Sequence, residues 1–228
     1  MSASSTSPGL TPASHAEAAR YALLRRLAPS MRHHLVVNLQ PIGMIYEVMD
    51  RRLRAPEPNL ATVQDGAHKM NGFARAALNS CLDVVTWLAP EEGAVTTTAE
   101  GVRECIALLA TSLSFRGYAL RNEVGIVPGD VQRSAMRNVL TATLIHATDE
   151  LPPPADLVLT AQAGAAGVEI KLALRPGQGD QGFAQEATYR HIGWSDVQAL
   201  AASEGIDIAR QEGQGITLTF PWADPARA

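Results

Sequence analysis

The sequence predicts an α+β protein: a long N-terminal helical hairpin suited to pairing into a dimeric four-helix bundle, followed by an α/β sandwich. Two apolar stripes and a change of texture point to it. Leu24, Leu27, Met31, Leu35, Leu39, Ile42, Ile45, Met49 and Leu53 follow one another at steps of three or four, the spacing of one helix face. Leu60, Val63, Ala67, Met70, Phe73, Ala77, Cys81, Val84 and Leu88 repeat the pattern after a break. Past Gly93 the pattern becomes one of shorter segments with mixed periods. The composition has room for such a fold. In 228 residues, 46% are apolar and 18% charged, which allows a sizeable core and excludes global disorder. Aromatics at 5% favour a helical part packed by Leu, Val and Ala.

In chain order, residues 1–15 are expected to form a disordered tail, because Met1 to Ser14 is rich in Ser, Thr, Pro and Gly. Residues 16–92 form the hairpin. Pro29 and Pro41 interrupt its first helix and should kink it. Pro56 and Pro58 end that helix, and Asn59 is placed to cap the second, which stops at Ala89-Pro90. A two-helix hairpin has a seam but too few partners to cover it, so a homodimer is expected. Residues 98–224 form the sandwich. Its expected elements are a helix from Val102 to Phe115, a strand from Tyr118 to Val124 and a longer helix from Asp130 to Glu150. A strand pair (Leu157 to Ala161, Val168 to Leu174), a Gly/Gln loop from Gly177 to Ala184 and a helix from Asp196 to Ser203 follow. The last expected element is a hairpin, Ile206 to Ala209 with Ile216 to Phe220, turning at Gly213-Gln214-Gly215. Helices and antiparallel hairpins in this order suggest one helical layer on one sheet.

Charge and cysteine usage narrow the function. A net charge of -4 argues against nucleic-acid binding, which needs a basic face. Cys81 and Cys105 make no disulfide framework and lack metal-ligand spacing. With no leader-like apolar segment and no membrane-length apolar run, a cytoplasmic protein without membrane contact is expected.

The residues that suggest chemistry lie in Arg32-His33-His34-Leu35-Val36-Val37-Asn38-Leu39. With Leu35 pointing inward and about 100° per residue, His33 lies roughly 160° away on the solvent side. His34 lies roughly 100° away and Asn38 roughly 60° away, on one flank. Val37 and Met44 fall near His33. An exposed imidazole among exposed apolar side chains is unusual for a solvated surface and suits docking. Adjacent histidines make a poor chelate, because neighbours at i and i+1 do not face each other. His68 sits roughly 16 Å from His33 along the hairpin, too far to complete a metal site.

This hairpin resembles the dimerization and histidine-phosphotransfer domain of bacterial sensor histidine kinases. In that family the phosphoacceptor His is followed by Leu at +2, Leu at +6 and often an aliphatic residue at +9. Leu35, Leu39 and Ile42 hold those places relative to His33. The run Leu78-Asn79-Ser80-Cys81-Leu82-Asp83-Val84-Val85 is similar to the family's second-helix ending. The resemblance makes His33 the phosphoacceptor, with His34 the alternative. His34 stands where the family has its acidic general base, Asn38 where it usually has proline.

The second half is similar to the family's ATP-binding domain in element order, with its nucleotide-contacting groups replaced. Aligning Asn138-Val139-Leu140 with the family's Asn-containing helix puts Ala142 at the Mg²⁺-holding position, and Ala has no oxygen ligand for a hard cation. In Arg175-Pro176-Gly177-Gln178-Gly179, Arg175 replaces the adenine-binding Asp and cannot accept the adenine amino hydrogen. In His191-Ile192-Gly193-Trp194 one glycine of the phosphate loop is gone and Trp194 is added. The shape resembles stand-alone histidine phosphotransferases with a decayed ATP-binding domain. It implies a homodimer that relays phosphate between response-regulator receiver domains through His33, without cofactor or metal of its own. The receiver would supply Mg²⁺ and dock along Val37, Gln40, Pro41 and Met44. The alternative is a non-catalytic pseudokinase scaffold that binds a kinase or receiver. An ATP-dependent kinase ranks last.

Overall fold

A computed structural model describes residues 11–179, 182–183, 189–211 and 215–223. Among these, two compact units are resolved, one of residues 28–91 and one that joins the start of the chain, through Leu27, to the residues from Glu92 onward. The expected tail lies outside the described residues as far as position 10, but its last part is helical. The first helix, α1, spans Pro12–Leu53. Thr11 starts it: its hydroxyl accepts the Ser14 N–H at 3.2 Å, and Pro12 takes the first helical position, where its missing N–H costs nothing. Helix α1 continues through Pro29 and Pro41. Each proline leaves the carbonyl one turn earlier without its helical donor.

Helix α2 spans Leu60–Leu88, and Asn59 caps it through Oδ1, which accepts the Thr62 N–H at 3.2 Å. In the hairpin unit, Gly66 of α2 lies against Met49 of α1. A Cβ there would come within 2.6 Å of the Met49 side chain, so the missing side chain makes the hole that Met49 fills. Much of the apolar stripe is not enclosed within one chain. Leu39 and Leu53 of α1, with Leu60, Leu78, Leu82, Val85 and Leu88 of α2, are exposed. Two helices bury only the residues along a narrow line of contact, so Leu39, Leu53, Leu60 and Leu88 of the two stripes stay uncovered within one hairpin.

The hairpin was expected to begin at residue 16. Instead the first four turns of α1 pack with the sandwich. Ala16, Ala19, Ala22, Leu23 and Leu27 are buried, small alanines allowing close approach. Arg26 holds Asp149 by a two-pronged pair at 2.6 and 2.7 Å, and Arg20 meets Glu204 at 3.0 Å.

The sandwich unit contains β1 (Val95–Thr97), α3 (Thr98–Phe115), β2 (Tyr118–Asn122), β3 (Asp130–Gln132) and α4 (Arg133–Ala135). A π-helical turn at Met136–Leu140 leads into α5 (Thr141–Glu150). Then come β4 (Ala155–Ala163), β5 (Gly167–Pro176), α6 (Trp194–Glu204), β6 (Asp207–Gln211) and β7 (Gly215–Pro221). The main sheet has the order β2-β4-β5-β7-β6, with β2 parallel to β4 and the other pairs antiparallel. The fold is thus α+β with a mixed sheet. Register sets its core: Leu159, Leu172 and Ile216 stand side by side, as do Ile170 and Leu218, and all five are buried. The intervening Glu169, Lys171, Thr217 and Thr219 form the more open opposite face, the period-two pattern of a sheet covered on one side.

Two details depart from expectation. Helix α3 begins at Thr98 rather than Val102, because the Thr97 hydroxyl caps it by accepting the Glu100 N–H at 3.3 Å. The expected helix from Asp130 starts instead as β3, paired with β1. Strands of three residues carry too little alternation to be read from sequence. Gly213 and Gln214 of the last turn, with parts of the Gly/Gln loop, lie outside the described residues.

Candidate functional site

In the hairpin unit, His33 is exposed and His34 is half-buried on α1. Their rings lie 6.2 Å apart, tilted by 54°. The flanking side chains build an ordered polar link to α2. Asn38 Nδ2 donates to the His34 carbonyl at 3.0 Å and to Ser80 Oγ at 3.1 Å. Ser80 Oγ in turn donates to the Ala76 carbonyl at 3.0 Å. Burial holds the His34 imidazole below its ordinary pKa; neighbouring His33 adds to this and Asp83 on α2 opposes it. His34 is therefore neutral at pH 7 and partly withdrawn from solvent, whereas His33 is open.

One to three turns further on, Val37 (49% exposed) and Met44 (62% exposed) face solvent with Gln40. Pro41, expected on the same outward side, is half-buried. His68 is exposed on α2. Among the described residues no group of three or more His, Cys, Asp or Glu side chains could hold a metal ion. The Asn38 partner Ser80 was not legible in sequence. The two are 42 positions apart, and only the pairing of the helices brings them together.

In the sandwich unit, the segment aligned with a phosphate loop lies directly on the helix aligned with the Asn-containing one. His146 Nδ1 meets the Ile192 carbonyl at 2.8 Å, and the Trp194 ring lies beside the His146 ring, centroids 5.6 Å apart and tilted by 39°. Asp149 Oδ2 accepts the Ile192 N–H at 3.0 Å while its two oxygens receive Arg26. Burial would raise the Asp149 pKa, but the hydrogen bonds from Arg26 and Ile192 outweigh it and hold it below the usual carboxylate value. Ala142 is fully buried, and Asn138 is committed to Glu204 at 2.6 Å. Arg175 is exposed and stands opposite Asp156 across the β4–β5 ladder. The loop is thus fastened to the helix by His146, Asp149 and Trp194, residues that a search for the usual nucleotide motifs passes over. The signal that could have found the first two is their spacing from Ala142: His146 lies one turn later and Asp149 two.

No protein-family model matches the chain, and no curated protein matches it. Among solved structures it is similar to a histidine kinase from Burkholderia phymatum STM815, at 15% identity and a TM-score of 0.43 over 87% of this chain and 97% of that one. It is also similar to histidine kinase ThkA in its complex with the response regulator protein TrrA, at 15% identity and a TM-score of 0.43 over 92% and 64%. A structure described as a bacterial phosphotransferase matches at 14% identity and a TM-score of 0.40 over 87% and 95%.

Proposed function

We propose that this chain is a histidine phosphotransferase that passes phosphoryl groups between receiver domains of response regulators, with His33 as the acceptor. The observation that carries the reading is the open His33 imidazole on a long helix, with exposed Val37, Gln40 and Met44 beside it for a partner to cover. A neutral imidazole nitrogen attacks the phosphorus of an aspartyl phosphate. The P–O bond to the carboxylate breaks as the P–N bond forms, and solvent takes the remaining ring proton. The reverse step on a second receiver completes the relay. No carboxylate beside His33 is needed, because the receiver's own acidic pocket and Mg²⁺ serve the phosphoryl group.

Two further features support the reading. Leu78, Leu82 and Val85, at steps of four and three on α2, are exposed large apolar residues on one helix face. That face suits a second copy, giving a homodimeric four-helix bundle. The 191–194 segment is bonded to α5 through His146 and Asp149, and Ala142 offers no oxygen to a metal ion, which favours transfer between receivers over phosphorylation by ATP.

The test is incubation with labelled Mg-ATP alone, then with a labelled phosphorylated receiver. Acid-labile label is expected on the protein only in the second case, and lost in His33→Ala. Label from ATP alone would revive the kinase reading. Receiver binding without any label on the protein would make it a scaffold.

A further inference from the structure

We infer that Asn38 and Ser80 form a positioning pair that fixes the rotation of α1 at the His33–His34 turn, presenting His33 and withholding His34; this rests on the phosphotransfer reading above. The two histidines differ by about 100° around the helix, so the angular position of α1 decides which one meets a partner. Apolar contacts resist such a rotation weakly, because they are non-directional. The knob of Met49 over Gly66 fixes the pairing near the interhelical turn, but it lies 15 residues beyond His34, roughly 22 Å along the axis.

Hydrogen bonds supply the direction. Both hydrogens of the Asn38 amide are used, one on the His34 carbonyl and one on Ser80 Oγ. The Ser80 proton is spent on the Ala76 carbonyl, so the hydroxyl meets Asn38 only as an acceptor. Each group in the chain therefore has one role and one orientation. The link starts at the backbone of His34 and ends on the backbone of α2, tying the angular position of the histidine turn to the neighbouring helix.

Diethylpyrocarbonate, which carbethoxylates accessible neutral imidazoles, reads this position without any receiver. In the full chain, His33 is expected to react faster than His34, as mapped by mass spectrometry. Ser80→Ala should narrow the His33-to-His34 rate ratio by about fivefold, the scale of one lost hydrogen bond, with Asn38→Ala doing the same. Ser80→Thr, which keeps the hydroxyl, should restore the ratio. A general loss of stability would raise both rates together and would not be rescued in this way. Phosphoryl transfer from a labelled receiver is measured on the same proteins and should fall with the ratio. An unchanged ratio in both Ser80→Ala and Asn38→Ala overturns the inference, whatever transfer does. A narrowed ratio in a chain whose unmodified form takes no phosphoryl group from receivers overturns the phosphotransfer reading instead.

Discussion

The two histidines of α1 differ in burial, and that difference sets distinct expectations for each. His33→Ala should leave receiver binding intact and abolish transfer, whereas His34→Ala should retain transfer; labelled-receiver assays beside a binding titration separate the two. His34 also makes the hairpin sensitive to pH. Its unfolded imidazole titrates near 6.5 and its folded value lies lower, so the unfolded chain binds the proton more readily. The stability it contributes is complete above about pH 6.5, falls as pH drops toward the folded value, and then levels off. Chemical denaturation across that window should show the decline, and His34→Gln should flatten it. Asp149 behaves in the opposite sense to a group whose burial dominates: its depressed folded value gives stability that is present above its unfolded value near 3.8 and lost as pH falls through the folded one. Arg26 and Asp149 have side chains only 7% and 3% exposed. Asp149→Ala strands a buried guanidinium, a loss of about 3–5 kcal/mol expected in urea unfolding. Cys105 is inert by contrast, its thiol pushed up to about 12 by burial.

At the scale of elements, close backbone approach is as decisive as apolar pattern. Gly167, at the start of β5, faces the Phe220 carbonyl of β7, and a Cβ there would lie 2.1 Å from that oxygen. Backbone cannot move aside as a flexible side chain can. Gly167→Ala should therefore cost about 2 kcal/mol or more, read as a lower urea midpoint. The corresponding contact at Gly66 involves the Met49 side chain, which has rotamers to spare, so Gly66→Ala should be milder. The π-helical turn at Met136–Leu140 adds an extra residue to the helix that carries Asn138, and the helical residues from Ala135 through Thr148 are buried. Neither the bulge nor the β1–β3 ladder leaves a periodic trace, whereas β4 carries the apolar run Leu157-Val158-Leu159 and β5 buries Val168, Ile170 and Leu172 alternately, so both are legible as strands.

For the whole molecule, the exposed apolar face of α2 is the feature with the largest consequence. Burying Leu82 against a second copy is worth about 1.5–3 kcal/mol per side chain, and a charge there reverses the sign. On the proposed homodimer, the unmodified chain is expected to scatter as a dimer and Leu82→Glu as a monomer of 24.3 kDa, with helical circular dichroism left in place. Met44→Glu, on the proposed docking strip, should instead weaken receiver binding by about tenfold, or 1.4 kcal/mol, without changing the oligomeric state.

Two long helices, the caps at Asn59, most of the sheet and the outward position of His33 followed from sequence because each depends on local periodicity and short-range hydrogen bonding. Leu35, Leu39 and Ile42 marked the histidine helix without any knowledge of its surroundings. The tertiary structure decided what depends on distant partners. It assigned the first turns of α1 to the sandwich through Arg26 and Asp149, which are 123 positions apart. It set the 191–194 loop onto His146, and it joined Asn38 to Ser80. A single sequence records the spacing of residues along one element, but not which element a charged or polar side chain will meet; that is settled only when chain packing brings both ends of the bond together.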